Sequence, residues 1–138
     1  MAELSSKTGY EILNVSDGEI IPVSELEYED NQKLVICDDY VCDKNQKKLI
    51  DYSMQGRRKN CSVIYLSQSF FKTPFEIRKG CTHYCLYQPL SKGDTTRISS
   101  ELGINKEDFK SATRKPNSFL YFDKPKKYIA KNFTGNLN

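Results

Sequence analysis

The sequence predicts an α/β fold: a mainly parallel sheet covered by helices on both faces, with an antiparallel hairpin at the C-terminus. Three observations support this prediction. Short apolar runs near residues 33–37, 61–66 and 82–87 have the length of strands, and helix-like segments separate them. Strands that alternate with helices pair in parallel through crossover connections. Two more apolar runs, at residues 118–122 and 127–130, are separated by a short turn-like segment, which predicts a hairpin.

Length and composition narrow the class of protein. The chain has 138 residues, of which 38% are hydrophobic, enough for a globular domain with a buried core. No apolar run approaches the roughly 18 residues that a bilayer crossing needs, and the N-terminus lacks the pattern of a signal peptide. We therefore expect an intracellular, cytoplasmic protein without a membrane partner. The five cysteines, an odd number, predict free thiols in a reducing compartment.

Charge divides the chain into two segments. Residues 1–31 carry eight acidic side chains and one basic side chain, a net charge of −7, so the other 107 residues carry +10. We expect residues 1–31 to be a separate acidic segment and residues 32–138 to form the main domain. Residues 106–131 hold eight Lys or Arg against three acids, which favours a polyanionic partner such as nucleic acid. Solvated surface lysines would give the same pattern.

The first elements follow from apolar runs and turn residues. In the acidic segment, residues 11–15 and 19–23 predict two short edge strands, and Pro22 argues against a central position for the second. The run at 33–37 predicts a buried strand of a parallel sheet. A helix should follow over residues 44–55. We expect its apolar face to contain Leu49, Ile50 and Met54, and Gly56 to end it in the left-handed conformation.

Polar capping residues and glycines mark the ends of the remaining predicted elements. They are, in order, a strand at 61–66, a short helix at 73–79, a strand at 82–87, a helix from Ser91 to Gly103, a helix capped by Asn105, and the hairpin. Glu107 and Asp108 fall in the first turn of the helix after Asn105, where the helix dipole favours negative charge.

Polar side chains follow two of the predicted strands. Asp38 and Asp39 end the first, at the edge where open α/β sheets bind ligands. In P-loop NTPases this is the position of the Walker B aspartate, which holds Mg²⁺. Gln68 follows the next strand, and its amide could position an attacking water if the two strands are neighbours. The alternative for Asp38 and Asp39 is that the strand simply runs into a polar loop. The alternative for Gln68 is that it is an ordinary turn residue after a strand.

Basic residues precede the second of these strands. Arg57 and Arg58 follow Gly56, and a guanidinium group can stabilise a transferring phosphoryl group in its own subunit or in a neighbour. A solvated helix C-terminus, where cations are favourable, is the alternative. Arg78 and Lys79, at the end of the next predicted helix, allow the same two interpretations.

Cysteine and histidine side chains alternate at Cys81, His83 and Cys85, so the three could face one metal ion, with Cys42 as a fourth ligand. The spacing matches no common zinc motif, and alternation along a strand already explains it. We favour the structural interpretation. Because His83 is the only histidine, the sequence gives no support to a hydrolytic triad.

The order of these motifs resembles a known family. L-V-I-C-D-D-Y-V, then G-R-R-K-N-C-S-V-I-Y-L-S-Q-S-F-F-K-T-P, then I-R-K-G-C-T-H-Y is similar to the DNA-packaging ATPases of large DNA viruses. These are the poxvirus-type enzymes and their relatives in polintons and virophages, in the FtsK–HerA superfamily of P-loop NTPases. The resemblance covers about residues 33–90. It implies a three-layer RecA-like core, of which residues 32–138 would be the C-terminal part.

The resemblance also implies roles for single residues. Asp38 matches the aspartate that holds Mg²⁺, and Asp39 matches the acid that orients or activates the attacking water. Gln68 matches the sensor glutamine, and Arg57 matches an arginine that could act across a subunit boundary. The complete enzyme would couple ATP hydrolysis to translocation of double-stranded DNA. It would work in the host cytoplasm or virion factory, as a homo-oligomeric ring or with a companion subunit.

One departure from the family pattern limits these expectations. A P-loop ATPase needs the Walker A motif G-x-x-x-x-G-K-[ST], and none of the seven glycines in these 138 residues precedes Lys-Ser or Lys-Thr. We therefore expect ATP and Mg²⁺ to bind only when a Walker A loop is supplied in cis or in trans. The alternative is a non-catalytic ATPase remnant that binds DNA or a partner subunit.

Overall fold

The computed structural model describes residues 10–13, 20–27, 32–38, 46–89 and 91–134. The chain divides into two compact units, Met1–Gly80 and Cys81–Asn138. The predicted mixed α/β class is confirmed: the described strands form one parallel sheet in the first unit and one antiparallel sheet in the second. None of the helices within these ranges combines the length and apolar character that a bilayer crossing needs.

The parallel sheet contains β1 (Tyr10–Leu13), β2 (Gln32–Asp38) and β3 (Cys61–Leu66) in the order β1-β2-β3. Helix α1 (Gln46–Gln55) and a 3₁₀ helix (Gly56–Lys59) lie between β2 and β3 in the chain. The first predicted edge strand of the acidic segment is therefore confirmed as β1. The predicted strand–helix–strand unit with neighbouring parallel strands is also confirmed.

The second predicted strand of the acidic segment, at residues 19–23, is wrong. Residues 20–22 are irregular, and a 3₁₀ helix follows at Val23–Glu25, in which the Glu25 amide donates to the Pro22 carbonyl oxygen at 2.9 Å. Proline has no amide hydrogen for a strand ladder, but its fixed φ suits the start of a helical turn. The buried apolar residues here recur every third position, as a 3₁₀ turn requires. They are Ile20, Val23 and Leu26, each at most 7% exposed.

The core of the first unit joins this part of the acidic segment to the sheet and to α1. Its buried side chains are Ile20, Val23, Leu26, Val35, Cys37, Leu49, Tyr52, Cys61 and Ile77. Polar contacts reinforce the packing, because the Tyr52 hydroxyl donates to the Ile21 carbonyl oxygen at 2.8 Å and the Lys48 ammonium donates to that of Ile20 at 3.0 Å. Residues 20–27 are thus an integral part of this unit.

The end of α1 differs from the prediction in two ways. Leu49 is buried and Ile50 packs against the core, as predicted, but Met54 is 65% exposed and the helix buries Tyr52 in its place. Gly56 does not adopt the left-handed conformation, which Asn60 takes with φ 54°. Gly56 instead allows a close approach of the backbone, because a Cβ atom there would lie 3.2 Å from the Cys61 carbonyl oxygen, a tight contact. Asparagine tolerates the left-handed region better than most residues, so Asn60 turns the chain into β3.

Two thiols lie in this core. Burial raises the pKa of the Cys37 thiol to about 11, and repulsion from Cys61 adds to the increase. Burial also raises the pKa of Cys61. Because the thiolate is the reactive form of cysteine, both residues should be inert in the folded protein.

We expect iodoacetamide at pH 8 to modify Cys37 roughly a hundredfold or more slowly than the exposed Cys85 in the folded protein. Peptide mass spectrometry over a time course measures both rates on the same sample. In denaturing urea the two rates should converge, which is the internal control. Rapid modification of Cys37 under native conditions would contradict the buried environment described above.

Helix α2 (Phe75–Gly80) completes the first unit, and the second unit begins with β4 (His83–Tyr87). Helices α3 (Lys92–Leu102) and α4 (Lys106–Ala112) follow, and then come β5 (Phe119–Asp123) and β6 (Tyr128–Lys131). The predicted C-terminal hairpin is confirmed as the antiparallel pair β5–β6.

The strand predicted at 82–87 is confirmed as β4, but its pairing differs from the prediction. It pairs antiparallel with β5, and within the described residues it does not extend the parallel sheet. The inner face of the antiparallel pair explains this choice, because the buried Tyr84 and Leu86 lie opposite the buried Phe122 and Leu120.

Both predicted caps between the helices of the second unit are confirmed. Gly103 ends α3 with φ 67°, in the left-handed conformation. The Asn105 side chain accepts hydrogen bonds from the amides of Glu107 at 2.8 Å and Asp108 at 3.4 Å at the start of α4.

Candidate functional site

Asp38 lies at the carboxyl end of β2, the central strand of the parallel sheet. Lys33, Val35 and Cys37 are buried on one face of this strand, and the intervening residues are half-buried on the other. Asp38 itself is exposed. The alternation therefore ends in a carboxylate that faces solvent at the edge where parallel sheets bind ligands. Asp39, the second acid of the predicted pair, lies outside the described residues.

Gln68 follows the adjacent strand. The register of β2 and β3 places Asp38 opposite Leu66, two residues before Gln68, and neighbouring strands lie about 5 Å apart. The topology therefore brings Asp38 and Gln68 to the same edge of the sheet. The strand ends at Leu66 and the chain bends at Gln68, whose side chain is exposed.

Serine and threonine side chains build the loop that carries Gln68. The Ser67 hydroxyl accepts from the Ser69 amide at 3.2 Å and donates to the Ser69 carbonyl oxygen at 2.9 Å. The Thr73 hydroxyl donates to the same carbonyl oxygen at 3.1 Å. These local bonds fix the backbone on both sides of Gln68. In the sequence, the Ser-Gln-Ser triplet carries this information, because its two serines flank the glutamine that the family resemblance singles out.

Arg78 braces the same loop, a contact that sequence reasoning missed. Its guanidinium carbon lies 5.1, 5.4 and 5.7 Å from the ring centroids of Phe70, Phe71 and Phe75. Its Nε donates to the Thr73 carbonyl oxygen at 3.1 Å. Of the two interpretations that the sequence allowed for Arg78, these contacts favour the structural one. The sequence contains a clue to these contacts, because three phenylalanines lie within eight residues of Arg78 and aromatic rings attract a guanidinium group.

Arg57 lies at the opposite edge of the sheet. It belongs to the 3₁₀ helix that precedes β3, and this helix is anchored at the amino end of the strands by a 2.9 Å bond from the Lys33 amide to the Asn60 carbonyl oxygen. Five residue steps of about 3.3 Å separate Cys61 from Leu66, so the two edges are roughly 17 Å apart. Within one subunit, the structure does not bring the exposed Arg57 to Asp38 and Gln68.

The alternating residues Cys81, His83 and Cys85 do not form a metal centre in the described structure. The Cys81 thiol donates to the His83 carbonyl oxygen at 2.9 Å, and His83 Nε2 lies 3.8 Å from an Asp123 carboxylate oxygen. Among the described residues, no three His, Cys, Asp or Glu side chains are grouped as metal ligands would be. Cys42, the fourth candidate, lies outside these residues.

The edge that carries Asp38 suits one kind of metal. Mg²⁺ keeps several waters and is typically held by one or two carboxylates together with substrate phosphates, rather than by a cage of protein ligands. A single exposed carboxylate at the carboxyl end of a parallel strand fits this requirement. Asp38 is therefore the described residue that could hold Mg²⁺, provided that phosphates are bound beside it.

Comparison with known proteins identifies a family. A protein-family model described as Poxvirus A32 protein matches residues 9–113, about three quarters of the chain. Searches among curated proteins and among solved structures found no significant match. The matched range contains the whole parallel sheet together with Arg57, Asp38, Asp39 and Gln68.

Proposed function

The chain belongs to the Poxvirus A32 protein family, and we propose that it supplies the Walker B and sensor strands of a viral genome-packaging ATPase. The resemblance to poxvirus-type packaging ATPases that the motifs predicted is confirmed by this membership. The observation that carries the proposal is the adjacency of β2 and β3, because it puts Asp38 and Gln68 at one sheet edge.

Each of these residues has a defined role in the proposal. Asp38 holds Mg²⁺, which when bound neutralises charge on the phosphate oxygens of ATP. Asp39 accepts a hydrogen bond from the attacking water and takes up its proton. Gln68, on its Ser67–Ser69 turn, orients that water.

The phosphate-binding loop has to come from another segment, in cis or in trans. In the described sheet β3 is an edge strand, and its apolar side chains Ile64 and Leu66 are 44% and 46% exposed. An edge strand with exposed apolar residues is suited to pair with a further strand. We propose that the strand leading into the Walker A loop pairs with β3. This pairing would complete a three-layer RecA-like core, in which β1 and residues 20–27, predicted as part of a separate acidic segment, already pack with the sheet.

The position of Arg57 supports an oligomer. The backbone of Arg57 lies beyond the amino edge of β3, and this edge is roughly 17 Å from the edge that carries Asp38, so the exposed Arg57 side chain does not lie beside Asp38 in its own subunit. In a ring, the same group could point at the nucleotide of a neighbour. We therefore propose a homo-oligomeric ring, or an assembly with a companion subunit, that translocates double-stranded DNA.

The test compares Mg²⁺-dependent ATP hydrolysis by the 138-residue chain alone and after addition of a segment carrying G-x-x-x-x-G-K-[ST]. Reading the nucleotide sequence upstream identifies that segment. We expect negligible hydrolysis by the chain alone and turnover by the combination. Asp39→Asn should abolish this turnover, while Asp51→Asn in α1, the matched control, should leave it intact.

Two outcomes would count against the proposal. Turnover by the 138 residues alone that Asp39→Asn abolishes would show that no Walker A loop is required. Absence of an upstream Walker A segment, or a combination without turnover, would favour the non-catalytic alternative of a DNA-binding or partner-binding remnant.

A further inference from the structure

The outer face of the antiparallel sheet in the second unit is covered with aromatic rings. Its inner face holds the buried Tyr84, Leu86, Leu120 and Phe122, so the alternate positions point outward. These outward positions carry the rings of His83, Tyr87, Phe119, Tyr121 and Tyr128 beside the smaller side chains of Cys85, Asp123 and Ala130, and Phe133, the second residue after β6, adds a sixth ring. We refer to the six residues that carry these rings as the aromatic face.

The rings form one continuous set. Phe119 lies with its ring centroid 5.3 Å from that of Tyr87 and 4.9 Å from that of Phe133. Phe133 is 5.0 Å from Tyr121, which in turn is 6.5 Å from Tyr128 and 6.1 Å from His83. Despite these contacts, Phe133 is 63% exposed, Tyr87 is 58% exposed and Tyr128 is 37% exposed. A large apolar surface therefore remains open to solvent on this sheet.

An unfavourable backbone conformation holds Phe133 over the sheet. Asn132 and Phe133 have φ angles of 51° and 60°, the left-handed region that non-glycine residues rarely adopt. The Asn132 side chain accepts from the Phe119 amide at 2.9 Å, and the Asn132 amide donates to the Phe119 carbonyl oxygen at 3.2 Å. These two bonds turn the chain back so that the exposed Phe133 ring stands beside Phe119 and Tyr121.

Cations stand at both ends of β5. The turn after β5 carries the exposed Lys124, Lys126 and Lys127, and Lys127 directly precedes Tyr128. Before β5, Lys115 is exposed and its carbonyl oxygen accepts from both the amide and the hydroxyl of Ser118, at 3.1 and 2.6 Å. Residues 81–138 carry ten Lys or Arg and five Asp or Glu, a net charge of +5. Lysines therefore flank both ends of β5, and one of them, Lys126, places its Nζ 3.5 Å from a carboxylate oxygen of Asp123.

We propose that the aromatic face binds a single strand of DNA, with bases stacked on Tyr87, Phe133 and Tyr128 and phosphates bound by the lysines at the ends of β5. Exposed aromatic rings on a sheet with cations beside them are the combination that single-stranded nucleic acid requires. The negative phosphates of DNA complement the net positive charge of the second unit. An apolar peptide offers no such charge, and a second copy of the chain would bring the same positive charge to the face. In a duplex the base faces are already stacked on one another and are not available to these rings.

All the contacts that define the aromatic face lie within the second unit. The choice of DNA over RNA rests on the proposed function. Binding is measured by fluorescence anisotropy of a labelled oligothymidine with the full 138-residue chain and without nucleotide. A failure of the ATPase proposal therefore leaves this measurement interpretable, and a failure here leaves the ATPase proposal untouched. A duplex and an oligouridine of the same length form the comparison arms.

We expect the oligothymidine to bind more tightly than the duplex. Tyr87→Ala and Phe133→Ala should each weaken binding roughly five- to a hundredfold. Because both side chains are exposed, these variants should fold, as circular dichroism will check. Phe75→Ala, which removes a 56% exposed ring from the first unit, is the matched control and should change binding little.

A second experiment measures how the affinity for oligothymidine depends on salt concentration. The double variant of Lys126 and Lys127 to alanine should make this dependence less steep, whereas Lys106→Ala should not.

Three results would overturn the proposal. The first is duplex binding as tight as oligothymidine binding, and the second is unchanged oligothymidine affinity in folded Tyr87→Ala and Phe133→Ala. The third is a chain that binds no DNA but forms a concentration-dependent dimer, which Tyr87→Ala and Phe133→Ala abolish. That result would show that the aromatic face binds a second copy of the chain. Oligouridine binding more than tenfold tighter than oligothymidine binding would overturn the choice of DNA.

Discussion

Replacing Arg57 with alanine is expected to lower the kcat of the assembled ATPase by roughly 10³-fold or more, the range observed when an arginine finger is removed. The 3₁₀ helix that carries Arg57 lies at the amino edge of the sheet, whereas Asp38 and Gln68 lie at the carboxyl edge. If Arg57 acts on the nucleotide of a neighbour, its loss should affect turnover without unfolding the subunit that carries it, because the side chain is exposed.

A mixing experiment separates action in trans from action in cis. Subunits with Arg57→Ala keep Asp38, and subunits with Asp38→Asn keep Arg57, so each alone should be inactive. When the two are mixed, some interfaces combine the intact Asp38 of one subunit with the intact Arg57 of its neighbour, and a fraction of the activity should return. Arg58→Ala, the adjacent exposed arginine, is the control and should retain activity.

Two results would contradict this role. Full activity of the Arg57→Ala assembly would make Arg57 part of a solvated helix terminus, the alternative that the sequence also allowed. Loss of activity that mixing does not rescue would indicate that Arg57 acts within its own subunit, contrary to its distance from Asp38 in the structure.

Replacing Ile20 with alanine is expected to lower the free energy of unfolding by about 2–4 kcal/mol, the usual loss for a fully buried isoleucine. Ile20 is 2% exposed and packs in the core of the first unit. Ile21, the next residue in the chain, is 53% exposed. Ile21→Ala removes the same atoms from the surface, so it should change the free energy of unfolding by no more than about 0.5 kcal/mol.

Urea denaturation followed by circular dichroism measures both variants against the original chain. A large shift of the midpoint for Ile20→Ala beside a negligible one for Ile21→Ala would establish that residues 20–27 are built into the core. Equal and small shifts would contradict the packing described for this segment and favour an acidic tail that contributes nothing to stability.

The strands that carry the proposed site were predictable because their signals are local. A run of β-branched and apolar residues ending in Asp38, and another ending before Gln68, give strand length, burial and polar ends from adjacent positions alone. The caps Gly103 and Asn105 were predictable for the same reason, since the bonds they make reach only a few residues along the chain.

The errors arose where a choice depended on distant residues. The sequence predicts a left-handed turn at Gly56, but Asn60 makes that turn, and Gly56 lies close to the backbone of Cys61. The sequence predicts a strand at residues 19–23, but the described part of this segment is irregular up to Pro22 and continues as a 3₁₀ helix from Val23, with Ile20 and Val23 both buried in the core. Local periodicity does not indicate which partner surface an apolar residue will meet.

By itself the sequence determined the family, the α/β class and the residue types at the ends of β2 and β3, because these depend on short motifs and their spacing. Only the tertiary structure decided the rest: that Arg57 lies at the opposite sheet edge from Asp38, that Arg78 braces the loop of Gln68, and that six aromatic rings converge on one sheet face. The physical reason is that strand pairing joins residues far apart in the chain. Register then fixes which side chains share an edge or a face, and no local pattern carries that information.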